Sequence, residues 1–131
     1  MSADTHKHRI LAAFEQLRTG DSQPFLDLLA DDVSWTVQGS TRWSGTYAGK
    51  AQVLDGLLRP VMKLLKAPNR TFVERIVAEG DLLAVELRGE NITKSDKPYH
   101  NRYCWICRME GGQIRALTEY ADTELFTAAL Q

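Results

Sequence analysis

Residues 71–120 read TFVERIVAEGDLLAVELRGENITKSDKPYHNRYCWICRMEGGQIRALTEY, and their reading decides the fold. Thr71 to Glu79 alternates and is rich in β-branched residues, which predicts a strand. Gly80-Asp81 is a tight hairpin signal. Leu82 to Thr93 is the next strand, with Leu83, Val85 and Leu87 on one face and Glu86, Arg88 and Glu90 on the other. Ser95-Asp96-Lys97-Pro98 makes a turn. Tyr99 to Met109 follows, then a second hairpin at Glu110-Gly111-Gly112, then Gln113 to Tyr120. Four consecutive strands of this kind form an antiparallel meander. Charges and aromatics sit where a plain core would place aliphatics: Arg88 with Glu90, Tyr103 with Trp105, and Glu119 near the end.

Working outward, helices come first. Ile10, Leu11, Phe14 and Leu17 recur at helical spacing between Thr5 and Arg18, and Gly20-Asp21 ends that run. A short helix is expected from Pro24 to Leu29, because proline suits a first helical turn. Asp31-Asp32 is expected to end it and to bind turn amides ahead of a strand from Val33 to Val37. Trp43 to Tyr47 reads as a further short strand. A third helix is expected from Lys50 to Lys66, with a wide apolar stripe that includes Val53, Leu57 and Val61. Pro60 lies inside it, which predicts a kink or break between Gly56 and Arg59. Asp122 is placed to cap a final helix carrying Leu125, Phe126 and Leu130.

Helices followed by a meander predict an α+β domain: three N-terminal helices packed on a cone-shaped, curved antiparallel sheet, spanning residues 1–131 as one unit. Long twisted strands curl around the helices, and the open end becomes a cavity. The opposite face, with Arg102, Cys104, Ile106 and Arg108, is either solvated or a subunit interface.

Bulk numbers narrow the function. The chain carries 16 Lys and Arg against 17 Asp and Glu, and no basic stripe is visible, which argues against nucleic acid. No apolar run approaches the ~20 residues needed to cross a bilayer, and the N-terminus has no apolar signal core, so a cytoplasmic protein is expected. The two cysteines, Cys104 and Cys107, have C-x-x-C spacing but lie on a strand, where i and i+3 face opposite sides. That reads as two free thiols in a reducing compartment rather than a redox or zinc pair. His6 and His8 lie in a segment expected to fray, and no metal site is expected. His100 beside a turn reads as exposed.

The order of elements resembles the ketosteroid-isomerase-like, or nuclear-transport-factor-2-like, superfamily and its SnoaL-like polyketide cyclases. The resemblance rests on Gly20-Asp21, on Leu28-Leu29-Ala30-Asp31-Asp32-Val33-Ser34-Trp35, on Gly45-Thr46-Tyr47-Ala48-Gly49, and on Gly111-Gly112-Gln113-Ile114 through Glu119-Tyr120-Ala121-Asp122. It extends from about Ile10 to Phe126. It implies a homodimer through the outer sheet face, no cofactor and a small-molecule pocket. The steroid-isomerase roles fall near Val37, Ala13 and Trp105, so base, Tyr and protonated Asp are all absent. Arg88-Gly89-Glu90 resembles the Arg-x-Asp pair of limonene epoxide hydrolases, and Thr118-Glu119-Tyr120 resembles their last-strand motif with Glu for Asp and Thr for Arg.

Two readings of these residues stay open. In one, Arg88, Glu90 and Glu119 are a catalytic set that splits acid and base roles. Trp35, Trp43, Tyr47, Tyr103 and Trp105 then bind an apolar, partly oxygenated small molecule. In the other, the charges are a cross-strand ion-pair network and the aromatics are core. The protein would then be a ligand-binding or assembly module without turnover.

Overall fold

The computed structural model describes all residues, Met1–Gln131. Helices α1 (Ala3–Leu17) and α2 (Gln23–Leu28) lead into strands β1 (Leu29–Val37) and β2 (Gly45–Ala48). A third helical stretch consists of α3 (Lys50–Val53), a π-helical turn (Leu54–Leu58) and α4 (Arg59–Lys63). The meander follows as β3 (Thr71–Glu79), β4 (Leu82–Gly89), β5 (Asn91–Ile92), β6 (Pro98–Tyr99), β7 (Arg102–Glu110) and β8 (Gln113–Ala121), closed by α5 (Thr123–Ala129). The main sheet has the order β2-β1-β8-β7-β4-β3, and β5 and β6 form a separate ribbon. All its pairings are antiparallel except β1 with β8.

The curvature has identifiable causes. Register shifts interrupt β3 between Val73 and Arg75, β8 opposite Arg108 and Met109, and β1 between Leu29 and Ser34. Each extra residue bends its strand and increases local twist. The helices fill the concave side, and 25 buried residues from helices and sheet form one contiguous hydrophobic cluster.

Several expectations are corrected. The N-terminus does not fray through His6. Ser2 caps α1 by accepting the Thr5 N–H at 3.1 Å, and His6, only 2 % exposed, reaches Asp81 Oδ1 at 3.0 Å. Asp31 and Asp32 lie exposed on β1 rather than ending a helix, and Asp32 accepts from Arg115 at 3.0 Å. The expected kink at Pro60 takes the form of the π turn. A proline at position 60 has no N–H for the residue-56 carbonyl, and a widened turn accommodates the ring without breaking the helix.

Two long strands are each split in two. After Gly89 the chain leaves the ladder because side chains replace the sheet bonds. Asn91 Oδ1 accepts the Arg70 N–H at 2.9 Å, its Nδ2 donates to Asn69 Oδ1 at 2.8 Å, and its backbone N–H donates to His100 Nδ1 at 3.2 Å. Asn101, fully buried, does the same between β6 and β7 by accepting the Arg102 and Asp122 N–H groups at 2.7 and 3.1 Å. Asp122 caps α5 as expected, accepting from the Leu125 N–H at 3.2 Å.

Candidate active site

A cavity with a free volume of about 70 Å³ lies between the concave sheet face and the helices. Phe25 and Leu26 of α2, Leu57 and Leu58 of the π turn, and Val61 and Met62 of α4 form one side. Trp35, Tyr99, Tyr103, Trp105 and Glu119 form the sheet side, with Trp43 and Phe126 at the end. Glu119 is the only ionisable acid in this wall, and no lysine or arginine faces it.

Glu119 reaches the interior through a bulge. Ile114 faces inward, and strict alternation would then place residues 116, 118 and 120 inside. The extra residue at Arg115 reverses that parity, so Leu117 and Glu119 turn inward and Tyr120 turns out. Glu119 is 6 % exposed, and its carboxyl accepts one hydrogen bond, from Trp35 Nε1 at 3.0 Å. Burial pushes its pKa up to about 7, and the Trp35 bond pulls only partly the other way. It therefore exchanges a proton near neutrality, as an acid–base catalyst must.

A set of donors surrounds the same space. Tyr99 Oη accepts from Asn101 Nδ2 at 3.3 Å and from Tyr103 Oη at 3.2 Å, which leaves the Tyr99 proton without an acceptor among these groups. Burial raises the pKa of both tyrosines, so they stay protonated and act as donors rather than bases. The Trp105 indole N–H and the Thr71 hydroxyl are buried with no hydrogen-bond partner. Orphaned buried polar groups each cost about 1–3 kcal/mol, which an oxygen-bearing ligand in this cavity would recover. The aromatic wall is rigid: Trp105 sits within 5.2 to 5.9 Å of Trp35, Phe25, Phe14 and Tyr103, ring centre to ring centre.

Of the residues singled out in the sequence, Trp35, Trp43, Tyr103, Trp105 and Glu119 meet in this wall. Tyr47 stands behind it, its hydroxyl donating to the Trp43 carbonyl at 2.8 Å and its ring lying 3.3 Å from where a side chain on Gly56 would begin. Arg88 and Glu90 do not belong to it. They pair with each other at 2.8 Å on the outer side, 36 % and 43 % exposed. The reason is register. Val85 opposes Trp105 and Leu87 opposes Tyr103, so the inner face of β4 is its aliphatic face and Arg88 must face out. Arg88→Ala is expected to change stability by less than about 1 kcal/mol in urea unfolding, and to leave cavity binding untouched. Three further lining or orienting residues, Tyr99, Asn101 and Thr71, carry no such signal in the sequence. Tyr99 and Asn101 fell inside an apparent continuous strand, and only the break at Asn101 orients them.

The family model for the SnoaL-like domain matches residues 10–117. The chain belongs to the SnoaL-like family. A search of the curated proteins found no match. Among solved structures, the chain is similar to an NTF2-like protein of unknown function from Burkholderia pseudomallei, with 19 % identity, a TM-score of 0.83, and 100 % and 99 % of the two chains covered. It is similar to a protein from a soil-derived mobile gene cassette, at 14 % identity and TM-score 0.83 over 98 % of both chains. It is also similar to TerC, co-crystallised with polyporic acid, at 21 % identity and TM-score 0.79 over 96 % and 98 %. At these identities the likeness shows the fold: the SnoaL-like chain is an NTF2-like α+β cone with an antiparallel-dominated sheet. No helix in it is long and apolar enough to cross a membrane.

Proposed function

We propose that this SnoaL-like protein is a cofactor-independent enzyme that moves a proton on a small, apolar, oxygenated molecule. The observation that carries the reading is a single buried carboxyl, with a pKa raised to about 7, in an otherwise apolar cavity. Ionised Glu119 takes a proton from a carbon beside a carbonyl. The C–H electron pair moves into the carbonyl, and the oxygen gains charge. The Tyr99 hydroxyl and the Trp105 indole N–H are the donors available to that oxygen. Protonated Glu119 then returns the proton to another carbon, which isomerises the molecule; or the enolate carbon attacks a second carbonyl carbon of the same molecule, whose π electron pair moves onto its oxygen and takes the proton back from Glu119, which closes a ring. TerC's co-crystallisation with polyporic acid supports a small-molecule ligand for this fold. Arg88 and Glu90 pair with each other outside the wall, which supports a role for Glu119 alone over a paired-acid hydrolase.

The test is proton exchange. A small cyclic ketone in D2O is expected to lose α-protons by NMR with the native chain, and Glu119→Gln to slow that loss by about 10²- to 10⁴-fold. Equal exchange by both proteins would end the proposal. A second reading, a binding module without turnover, is favoured by the small free volume. It predicts ligand binding by both proteins and exchange by neither.

The protein is further proposed to pair with itself through the outer sheet face and to reside in the cytoplasm, where its two cysteines stay as free thiols. Along the middle of that face Ala84 and Thr118 flank Ile106, and Glu86 and the exposed Tyr120 flank Cys104. Ile106→Asp is expected to convert a dimer to a monomer in sedimentation velocity while the far-ultraviolet dichroism stays unchanged. A native chain that sediments as a monomer would refute the pairing.

A further inference from the structure

Three guanidinium groups gather round one phenyl ring on the outer side of the molecule. The centres of Arg88, Arg70 and Arg18 lie 4.4, 5.2 and 5.6 Å from the middle of the Phe72 ring. Beside this ring is an open hollow of about 490 Å³, walled by Arg70, Arg88, Arg102, His100, Glu90 and the Gly89 backbone among others. Arg88 stands directly opposite Arg102 in the β4–β7 ladder, a like-charge pairing that costs stability in the free protein. Glu90 neutralises Arg88 at 2.8 Å and Glu74 neutralises Arg102 at 2.6 Å. Arg70 forms no ion pair: its Nε donates to the Arg18 carbonyl, and its terminal nitrogens carry no bond to a carboxylate.

His100 adds a fixed donor. Its Nδ1 accepts the Asn91 backbone N–H, so the neutral ring carries its proton on Nε2. The hollow thus presents guanidinium forks and one imidazole N–H, with Glu90 the only acid in its wall. Forked guanidinium donors match the oxygens of a phosphate group, and convergent positive charge favours a dianion. We propose that this hollow binds a phosphate monoester dianion carried by a small molecule, with Arg70 as the unpaired ligand, Arg102 and Arg88 beside it, and Glu74 and Glu90 as the internal competitors that the phosphate displaces from them. The site is separate from the cavity: Asn69 and Thr71 face the cavity, while Arg70 between them faces the hollow.

Titration calorimetry with inorganic phosphate at low ionic strength tests this. The native chain is expected to show saturable one-site binding, and Arg70→Ala or Arg102→Ala to weaken it by about tenfold or more. Glu90→Gln is expected to tighten it several-fold, a gain that misfolding cannot imitate. Arg75→Ala, whose residue pairs with Glu86 away from the hollow, and Glu119→Gln, within the cavity, are expected to bind as the native chain does. Unsaturable heat, equal affinity in Arg70→Ala, or weaker binding in Glu90→Gln would overturn the site. Adsorption to phosphatidic-acid vesicles without saturable binding of free phosphate would overturn its assignment to a small molecule.

Discussion

At pH 8 the Glu119→Gln protein will unfold at a higher temperature than the native chain, and at pH 4 the two will come together. The sign follows from where the proton sits. An ordinary glutamate titrates near 4.5, whereas folded Glu119 titrates at about 7 because burial disfavours its charge. Below the ordinary value both folded and unfolded chains hold the proton. Between the two values the unfolded chain releases it while the folded chain keeps it, so stability falls as pH rises. The loss is complete once the folded carboxyl has ionised, above about 7, and amounts to roughly 3 kcal/mol. Glutamine keeps the acceptor for Trp35 Nε1 and has no charge to bury, so its stability should not follow that slope. The difference between the two proteins, measured by urea unfolding from pH 4 to 8, isolates this group from the histidines. Parallel curves would mean that Glu119 is not the buried titrating acid. The same carboxyl should give proton exchange a rising limb with its midpoint near 7. Trp35→Phe removes the one bond that favours the ionised form, so both the stability slope and this midpoint should move to higher pH.

The fold was legible because its signals are local and agree with one another. Alternation, the Gly80-Asp81 and Gly111-Gly112 turns, and the Asp122 cap each predict an element that is present. The site was only half legible, because strand alternation tells which residues share a face and not which face is inside. Tyr103 shares a face of β7 with Trp105, and Glu86 shares a face of β4 with Arg88, as alternation predicts, while Glu90 lies past the end of β4. That the first pair is inner and the second outer depends on the register of β4 against β7, a tertiary fact. Glu119 is the converse case. Resemblance to the last-strand motif implies a pocket position for it, although alternation from Ile114 points it outward, and the bulge at Arg115 reconciles the two. The breaks at Glu90 and Asn101 leave no signal in the sequence for a related reason. An asparagine that takes over the ladder's hydrogen bonds looks, in sequence, like any polar residue on a strand.

Trp105→Ala and Trp105→Phe should separate what this residue does for the fold from what it does for a ligand. The indole is the hub of the aromatic cluster, in contact with Phe14, Phe25, Trp35 and Tyr103. Deleting it leaves a void that its rigid neighbours fill only in part, so Trp105→Ala should lose about 3–5 kcal/mol in urea unfolding. That is a large share of the roughly 5–15 kcal/mol that holds a domain together. The enlarged cavity should bind bulkier hydrocarbons than the native one does. Phenylalanine keeps most of the ring contacts, and it also removes an N–H that is buried without a partner in the free protein. Relief of that orphan offsets part of the lost area, so Trp105→Phe should fall within about 1.5 kcal/mol of the native chain. Its ligand behaviour should diverge from its stability. An apolar ligand should bind nearly as before, while a ketone of the same shape should lose about tenfold in affinity, because the donor to its oxygen has gone. If ketone and hydrocarbon affinities fall together, the Trp105 N–H does not meet the ligand oxygen, and the donor role rests on Tyr99 alone.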